Sequence, residues 1–220
     1  MSFKKNKYCI IRQAISKDLA TFVANYFSLQ KQVYDTCRQH RYFSPFENII
    51  GYYETEQDQI QNTYSQYSNV AMETLMLKCQ PGMEKATGLK LYPAYTYARI
   101  YKKGDVLKRH KDRFSCEIST TLNLGGNTWP IYLSPNENVG VPNDKDITSV
   151  SKAKGIKVDL DPGDMLVYRG RELEHWREKF KGKECLQAFL HYNDSKTPGA
   201  KENVFDKRPH LGLPNWFCKK

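Results

Sequence analysis

Two short segments carry residues whose types and spacing could bind a metal ion. His110 and Asp112 stand two positions apart, and His175 follows 63 positions after the carboxylate (175 − 112 = 63). Two imidazoles and one carboxylate can occupy one face of a metal ion and leave the opposite face open. This is the ligand set of non-haem Fe(II) centres that activate oxygen. The sequence therefore predicts an iron site built from His110, Asp112 and His175.

Three other histidines are alternative ligands with less support. His40 and His210 have no carboxylate two residues away. His191 stands next to Tyr192 in an apolar stretch, a setting typical of a histidine in a protein core or at a sheet edge. These three remain open as alternatives at this point.

The metal-binding residues must be positioned by extended chain segments. Side chains at positions i and i+2 of a strand point to the same side, so His110 and Asp112 converge if their segment is extended or ends a strand. Further short strands are predicted, rich in apolar or β-branched residues and bounded by Gly or Pro turns, at 97–101, 114–124, 158–160, 165–168 and 185–192. Many short strands between such turns indicate a β-barrel or jelly roll.

Two helices are predicted before the strands. The first covers 16–40, with Ser16 as N-cap and one apolar face that we expect to pack against the sheet, formed by Leu19, Phe22, Val23, Tyr26 and Phe27. The second covers 69–79, is interrupted by Pro81 and ends at Gly88. Both helices are expected to buttress the β core.

The chain has 220 residues, which is enough for one domain with a full core. We expect a single unit over 1–220, with a helical part at 1–94, a jelly-roll core at about 95–193 and a tail at 194–220 that returns its apolar side chains to the domain. No apolar run has the length of a membrane span, and no apolar segment follows the basic N-terminus, so we expect a cytoplasmic protein without membrane contact. The six cysteines form no CxxC pair, which favours free thiols over a zinc site.

The net charge of +10 comes from 34 basic and 24 acidic residues. An anionic partner such as nucleic acid would account for this charge, and so would a basic, soluble surface. The lysines are spread along the chain rather than clustered, which favours the second interpretation.

The motifs between Thr96 and Tyr192 occur in an order that resembles the 2-oxoglutarate/Fe(II) dioxygenases, specifically their prolyl-4-hydroxylase-like branch. The matching pieces are Arg99-Ile100-Tyr101-x-x-Gly104, His110-x-Asp112, Gly125-Gly126-Asn127-Thr128-Trp129-Pro130, Pro162-Gly163-Asp164, and His175 followed by Gly182-Lys183. This resemblance covers a little under half of the chain and implies a double-stranded β-helix, a jelly-roll core of the cupin type.

The resemblance also implies an activity. The enzyme would use Fe(II) as its metal, 2-oxoglutarate and O2 as cosubstrates, and ascorbate as an additional cofactor. Decarboxylation of 2-oxoglutarate would be coupled to hydroxylation of a substrate C–H bond. A peptide or protein substrate, hydroxylated at a prolyl-type residue, is the leading expectation. A nucleic-acid demethylase with the same chemistry is the first alternative, and a non-catalytic cupin-like binding module is the second.

The distal carboxylate of 2-oxoglutarate needs a fixed cation, and two residues are candidates. Arg177 stands two positions after His175, so on a strand both side chains point inward. Lys183 matches the lysine at the start of the family's last strand, with a shorter spacing from the histidine. By the same resemblance Tyr101 is expected to donate its hydroxyl to the cosubstrate. Further candidates for this pocket are Thr121, Asn123 and Gln187.

Two polar or aromatic segments, 42–66 and 134–155, lack the periodicity of a helix or strand. Long loops inside a compact domain are often lids or binding elements. We expect both segments to border the mouth of the pocket.

Overall fold

The computed structural model describes residues 3–42, 49–55, 60–136, 138 and 151–218. Its helices are α1 (Phe3–Asn6), α2 (Lys17–Gln39) and α3 (Val70–Thr87), with 3-10 turns at Phe114–Cys116, Val204–Lys207 and Asn215–Phe217. Its strands are β1 (Tyr8–Ile11), β2 (Tyr52–Tyr53), β3 (Tyr64–Tyr67), β4 (Leu91–Lys102), β5 (Leu107–His110), β6 (Ile118–Gly126), β7 (Ile131–Leu133), β8 (Ile156–Val158), β9 (Met165–Arg169), β10 (His175–Arg177) and β11 (Glu184–Asp194).

The strands form two antiparallel sheets. The major sheet has the order β1-β9-β6-β11-β4-β3-β2, and the minor sheet has the order β5-β10-β7-β8. Consecutive strands alternate between the sheets along much of the chain, since β5, β7 and β10 lie in the minor sheet while β4, β6, β9 and β11 lie in the major one. The predicted jelly roll with buttressing helices is confirmed.

Helix α2 begins where the sequence predicts. Ser16 caps it, and the Ser16 Oγ accepts a hydrogen bond from the Leu19 amide at 3.2 Å. Val23 and Phe27 are buried as expected, but Phe22 is 69% exposed. The predicted apolar face was therefore too wide, because the sheet covers only a narrow stripe of the helix.

Helix α3 differs from the prediction because Pro81 does not interrupt it. The helix runs without a break from its Asn69 N-cap to Gly88, which ends it in the left-handed conformation at φ 75°. Proline removes the hydrogen bond to the carbonyl four residues before, here that of Leu77. Both Pro81 and Leu77 are exposed, so that carbonyl lies on the helix face turned towards water.

The part of the chain before residue 95 is less helical than predicted. Strand β1 pairs with β9 at one edge of the major sheet, while β2 and β3 extend the opposite edge beyond β4. Strand β6 also begins later than predicted, at Ile118, because Phe114–Cys116 forms a 3-10 turn. Strands β1, β2 and β3 are too short to be predicted from an alternation of apolar and polar residues, and the strands they pair with include partners that are distant in sequence.

The C-terminal segment is held by polar side chains rather than by its aromatic ones. Trp216 and Phe217 are about half exposed, contrary to the expectation. Arg208 is buried and donates to Glu73 Oε1 at 2.8 Å and to the Ala94 carbonyl at 3.0 Å. The tail is thereby fixed to α3 and β4.

No helix among the described residues is both long enough and apolar enough to cross a membrane.

Candidate functional site

Two short strands of the minor sheet bring the predicted metal ligands together. His110 ends β5, His175 begins β10, and the two histidines are directly opposite in the antiparallel pairing. Asp112 follows two residues later, where its amide donates to the Gly170 carbonyl at 2.9 Å. The Asp112 Oδ1 lies 3.5 Å from His110 Nε2 and 3.4 Å from His175 Nε2. One ligand atom from each of the three residues lies within 4.8 Å of the other two.

The hydrogen bonds of both histidines fix the tautomer that a metal ligand requires. The Nδ1 of His110 lies 2.8 Å from the Lys108 carbonyl, and the Nδ1 of His175 lies 3.0 Å from the Leu173 carbonyl. A carbonyl oxygen only accepts, so each Nδ1 carries the proton and donates it. Each Nε2 therefore presents a lone pair towards Asp112, as in metal-binding histidines oriented through their other nitrogen.

The electrostatics of the three residues favour a bound cation. Burial opposes ionisation of Asp112, but the two imidazoles beside it hold the pKa of its carboxyl well below the usual range. Burial and the neighbouring His175 lower the pKa of His110. Burial also acts to lower the pKa of His175, but Asp112 outweighs it and the net shift is upward. The result is an anionic carboxylate flanked by two imidazoles, which suits a divalent cation.

A cavity of about 210 Å³ leads to this triad between the two sheets. His110, His175 and Asp112 line one side, and the aromatic side chains of Tyr95, Tyr97 and Phe189 line another. The remaining lining residues are Arg99, Tyr101, Leu107, Cys116, Ile131, Tyr168 and His191.

Arg177 lies on β10, 1% exposed, and its guanidinium has only neutral partners. Its Nη2 donates to Thr121 Oγ1 at 3.0 Å and to Gln187 Oε1 at 3.3 Å, and its Nη1 donates to the Trp129 carbonyl. The Nε is buried without a hydrogen-bond partner. Within the described part of the chain, no carboxylate lies at ion-pair distance from this cation. A buried charge without a counter-ion is costly, so this arrangement favours an anionic ligand.

Tyr101 supplies a second unpartnered donor beside the arginine. Its hydroxyl is buried, lines the cavity and makes no hydrogen bond within the described chain. The Trp129 ring packs against both groups, with its centroid 4.8 Å from that of Tyr101 and 5.0 Å from the Arg177 guanidinium carbon. Buried polar groups are nearly always hydrogen-bonded, so the two orphan donors indicate a site for a ligand with acceptor oxygens.

The structure separates the other predicted cosubstrate residues into two groups. Thr121 and Gln187 hold Arg177 in place, as described above. Asn123 does not join them at the guanidinium, because its Nδ2 donates to the Leu160 carbonyl at 2.7 Å and its Oδ1 accepts from Gln187 Nε2 at 3.1 Å. Lys183 is exposed, and only its backbone amide is anchored, to Asn127 Oδ1 at 2.8 Å. Of the two predicted anchoring cations, the structure therefore favours Arg177.

Part of the predicted lid is a strand pair, β2 with β3, that contacts the cavity wall. The Tyr52 hydroxyl lies 2.9 Å from that of Tyr97, and Glu54 pairs with the Arg99 guanidinium at 2.7 Å. These contacts place the described portion of 42–66 against the cavity wall. Residues 43–48 and 56–59 of this segment, and residues 137 and 139–150 of the second predicted lid, lie outside the described residues.

Sequence reasoning missed two residues around the triad, Ser119 and Tyr168, and named the third, His191, only as an alternative ligand. Ser119 donates to Asp112 Oδ2 at 2.6 Å, and Tyr168 packs edge-on against His175 with ring centroids 4.7 Å apart. His191 is indeed buried, as its apolar surroundings indicated, but it also lines the cavity, and burial lowers its pKa to about 4. The other two alternatives, His40 and His210, are exposed and outside the cavity lining.

Several arginines of the described residues are held by carboxylates of the same chain. Apart from the buried Arg177, three arginines are each paired with a carboxylate: Arg99 with Glu54 at 2.7 Å, Arg113 with Asp206 at 2.9 Å and Arg109 with Glu174 at 3.2 Å. A nucleic-acid site would instead offer a cluster of available cations to phosphate groups.

Comparison with known proteins finds no matching family model and no matching curated protein. Solved structures of similar fold do exist. The 2-oxoglutarate-dependent epimerase SnoN of nogalamycin biosynthesis aligns with a TM-score of 0.61 at 11% identity, covering 88% of this chain and 80% of SnoN. AviO1 from Streptomyces viridochromogenes gives 0.61 at 15% identity over 90% and 94% of the two chains. HygX from Streptomyces hygroscopicus, solved with nickel and 2-oxoglutarate, gives 0.56 at 12% identity over 88% and 85%. The chain therefore shares the fold of these three proteins.

Proposed function

We propose that this protein is an Fe(II)- and 2-oxoglutarate-dependent oxygenase. His110, Asp112 and His175 would hold the iron, and Arg177 with Tyr101 would bind the distal carboxylate of 2-oxoglutarate. One observation carries this proposal. Two histidines and one aspartate line a cavity in a metal-binding arrangement, and a buried arginine that has no carboxylate partner lies close to the same cavity.

The residues present fit both groups. The two Nε2 lone pairs and the Asp112 Oδ1 form a donor set of the kind that binds Fe(II) and leaves coordination positions open. 2-Oxoglutarate carries two carboxylates, one for the metal side and one for a cation. A guanidinium offers a planar pair of N–H donors to such a carboxylate, and burial excludes the water that would weaken this contact.

When bound, the iron would supply oxygen activation coupled to decarboxylation of 2-oxoglutarate to succinate and CO2. The side chains of this chain position and shield the reactants. Ser119 holds the second oxygen of Asp112, so that Oδ1 faces the histidines. Leu107, Ile131 and Phe189 cover the cavity with apolar surface, which limits the access of water to the reacting groups.

For the substrate we propose a peptidyl side chain of the prolyl type. The motif order of the sequence supports this choice. The lining of the cavity supports it too, since Tyr95, Tyr97 and Phe189 offer aromatic surface to a small saturated ring. The volume of about 210 Å³ suits one side chain beside the cosubstrate rather than a large ligand. The paired arginines do not favour the nucleic-acid alternative.

A small-molecule substrate is the second candidate. HygX has been solved with hygromycin B, and SnoN with iron, 2-oxoglutarate and nogalamycin RO. With a cavity of about 210 Å³, only part of such a ring system would enter beside the cosubstrate, and the rest would lie outside.

Succinate formation tests the proposed chemistry directly. The purified chain, supplied with Fe(II), 2-oxoglutarate, O2 and ascorbate, should form succinate slowly even without substrate. Asp112→Ala and His175→Ala should abolish both this activity and stoichiometric Fe(II) binding, because two ligands do not hold the ion. His210→Ala is the matched control, since that histidine is exposed and lies outside the cavity. Full activity in Asp112→Ala would refute the proposal, and a chain without any turnover would be a binding module.

The substrate class is tested by incubation with separate pools of peptides and small molecules. A mass increase of one oxygen atom in a peptide, absent with Asp112→Ala, would support the prolyl-type proposal. Oxidation confined to the small-molecule pool would favour the second candidate instead.

A further inference from the structure

A second set of metal-binding side chains lies directly beside the first. Asp112, Cys116 and His191 each place one ligand atom within 4.8 Å of the other two. We propose that these three residues form a second cation site, selective for a thiophilic divalent ion such as Zn²⁺, which shares the Asp112 carboxylate with the proposed iron site. This site is independent of any turnover of 2-oxoglutarate.

The two oxygens of Asp112 are directed to different partners. Oδ1 is the oxygen close to the Nε2 atoms of His110 and His175. Oδ2 accepts from Ser119 Oγ at 2.6 Å, and that hydroxyl lies 3.0 Å from His191 Nδ1. Oδ2 is therefore the oxygen on the side of Ser119 and His191, and the second site would use it while Oδ1 serves the first.

Ser119 fixes the tautomer of His191. Its hydroxyl has one proton and two acceptors, Asp112 Oδ2 at 2.6 Å and the Cys116 carbonyl at 2.8 Å. With the proton directed to either acceptor, a lone pair of the hydroxyl faces His191 Nδ1, which must then donate. The Nε2 of His191 keeps its lone pair for a metal ion. If a cation takes Oδ2, the proton can turn to the Cys116 carbonyl without disturbing this bond.

The thiol has a supporting partner as well. The Tyr95 hydroxyl lies 3.0 Å from Cys116 Sγ, and the Tyr95 and His191 rings pack with centroids 4.6 Å apart. A hydroxyl at this distance can donate to a thiolate. Metal-binding side chains are commonly oriented by such outer hydrogen bonds, and here both Cys116 and His191 have them.

The donor set and its access suit zinc. Bond lengths of about 2.3 Å to sulfur and 2.0–2.2 Å to nitrogen or oxygen place tetrahedral ligands roughly 3.3–3.7 Å apart. Ligand atoms that lie within 4.8 Å of one another therefore need to approach by about 1.5 Å at most. All three residues line the cavity, which gives an ion a path and leaves a fourth position open. On binding, the Cys116 thiol loses its proton to solvent as the metal–sulfur bond forms, and no electron is transferred. Sulfur also distinguishes this set from the first one.

Cobalt(II) is the probe that tests the site, because a thiolate ligand gives it a charge-transfer band that histidine and carboxylate do not. The test is made without oxygen in a His110→Ala/His175→Ala variant, which lacks both imidazoles of the first set. This variant should bind one Co²⁺ with the sulfur band. Adding Cys116→Ser should remove the band and weaken binding by at least about 100-fold. Adding Cys79→Ser is the control, because Cys79 is also a free, buried thiol but lies outside the cavity lining. Tyr95→Phe should weaken binding by about 10- to 100-fold.

The wild-type chain decides the question if the double variant does not fold. It should bind two Co²⁺ and show the sulfur band, whereas Cys116→Ser should bind one without the band. A missing band, or a band that persists in Cys116→Ser, overturns the second site. The two proposals fail separately: loss of succinate formation with the band intact refutes only the iron chemistry, and a missing band with succinate formation intact refutes only this site.

Discussion

Two buried arginines flank the cavity, and their partners differ. Arg99 pairs with Glu54 at 2.7 Å and donates to Ser65 Oγ at 3.1 Å. Arg177 is 1% exposed and donates only to neutral oxygens. A guanidinium that already has a carboxylate serves the fold, whereas one without a carboxylate is available for a ligand anion.

The neighbouring tyrosines show the same difference. The Tyr97 hydroxyl lies 2.9 Å from that of Tyr52 and also donates to Glu54. The Tyr101 hydroxyl, on the same strand, has no partner in the described chain. We therefore distinguish a paired Arg–Tyr region, Arg99 with Tyr97, from an unpaired one, Arg177 with Tyr101.

The largest expected difference concerns stability. Arg99→Ala leaves Glu54 buried without its cation and should lower the free energy of unfolding by about 3–5 kcal/mol. Arg177→Ala leaves no carboxylate unpaired and should cost clearly less. Urea unfolding of the ligand-free variants measures both. In Arg99→Ala/Glu54→Gln part of the loss should return. Equal destabilisation by the two single substitutions would remove the distinction between the regions.

For the affinity of 2-oxoglutarate the order of the two arginines should be reversed, with Arg177→Ala having the larger effect. Arg177→Ala removes a buried charge-assisted contact, worth about 2–5 kcal/mol, so 2-oxoglutarate affinity should fall by roughly 30- to 4,000-fold. Arg177→Lys should be intermediate, since it keeps the charge but not the planar pair of donors. Titration of the manganese-loaded chain measures this. The exposed Lys183 provides the control, and a larger effect of Lys183→Ala than of Arg177→Ala would reverse our assignment.

A third paired arginine allows a test by pH. Burial acts to raise the pKa of the Asp206 carboxyl, but Arg113, Ser115 and Tyr67 outweigh it and lower that pKa to about 2. A carboxyl with a depressed pKa stabilises the fold above its unfolded pKa of about 3.9, and this contribution is lost as pH falls towards 2. The loss should reach about 2 kcal/mol at most, less where solvent screens Arg113. The difference in unfolding free energy between wild type and Asp206→Asn should shrink over this interval; a constant difference would contradict the assignment.

The smallest expected effects concern the two tyrosines. Tyr101→Phe should weaken 2-oxoglutarate binding by about 1 kcal/mol, or roughly fivefold, without destabilising the free chain, because its hydroxyl has no partner to lose. Tyr97→Phe should destabilise the chain by a similar amount and leave cosubstrate affinity unchanged. Calorimetric titration and thermal unfolding of the two variants test this exchange of effects.

The sequence predicted the features that depend on local spacing. His110 and Asp112 converge because they are two residues apart at a strand end, and Arg177 is buried beside the cavity because it lies two residues after His175. The choice between Arg177 and Lys183 required burial, which spacing does not supply.

Features that depend on distant partners were not predictable in this way. Ser119 and His191 meet across 72 positions (191 − 119 = 72), and only the pairing of β6 and β11 in one sheet brings them together. Asn123 lies on the same strand face as Thr121, yet its side-chain amide donates a hydrogen bond to the carbonyl of Leu160, 37 positions away. No local sequence pattern predicts the pairing of β1 with β9 either.

The direct opposition of His110 and His175 also affects how the chain unfolds. An ion held by both histidines would cross-link two positions 65 residues apart (175 − 110 = 65). The unfolded chain would have to close a long loop to bring both histidines to one ion, which costs entropy, so it binds the ion far more weakly than the folded chain does. In the folded chain the ion would hold together two strands of only four and three residues. The minor sheet should then open less often as metal concentration rises, with a gain of RT ln(1 + [M]/Kd), where [M] is the concentration of free metal ion.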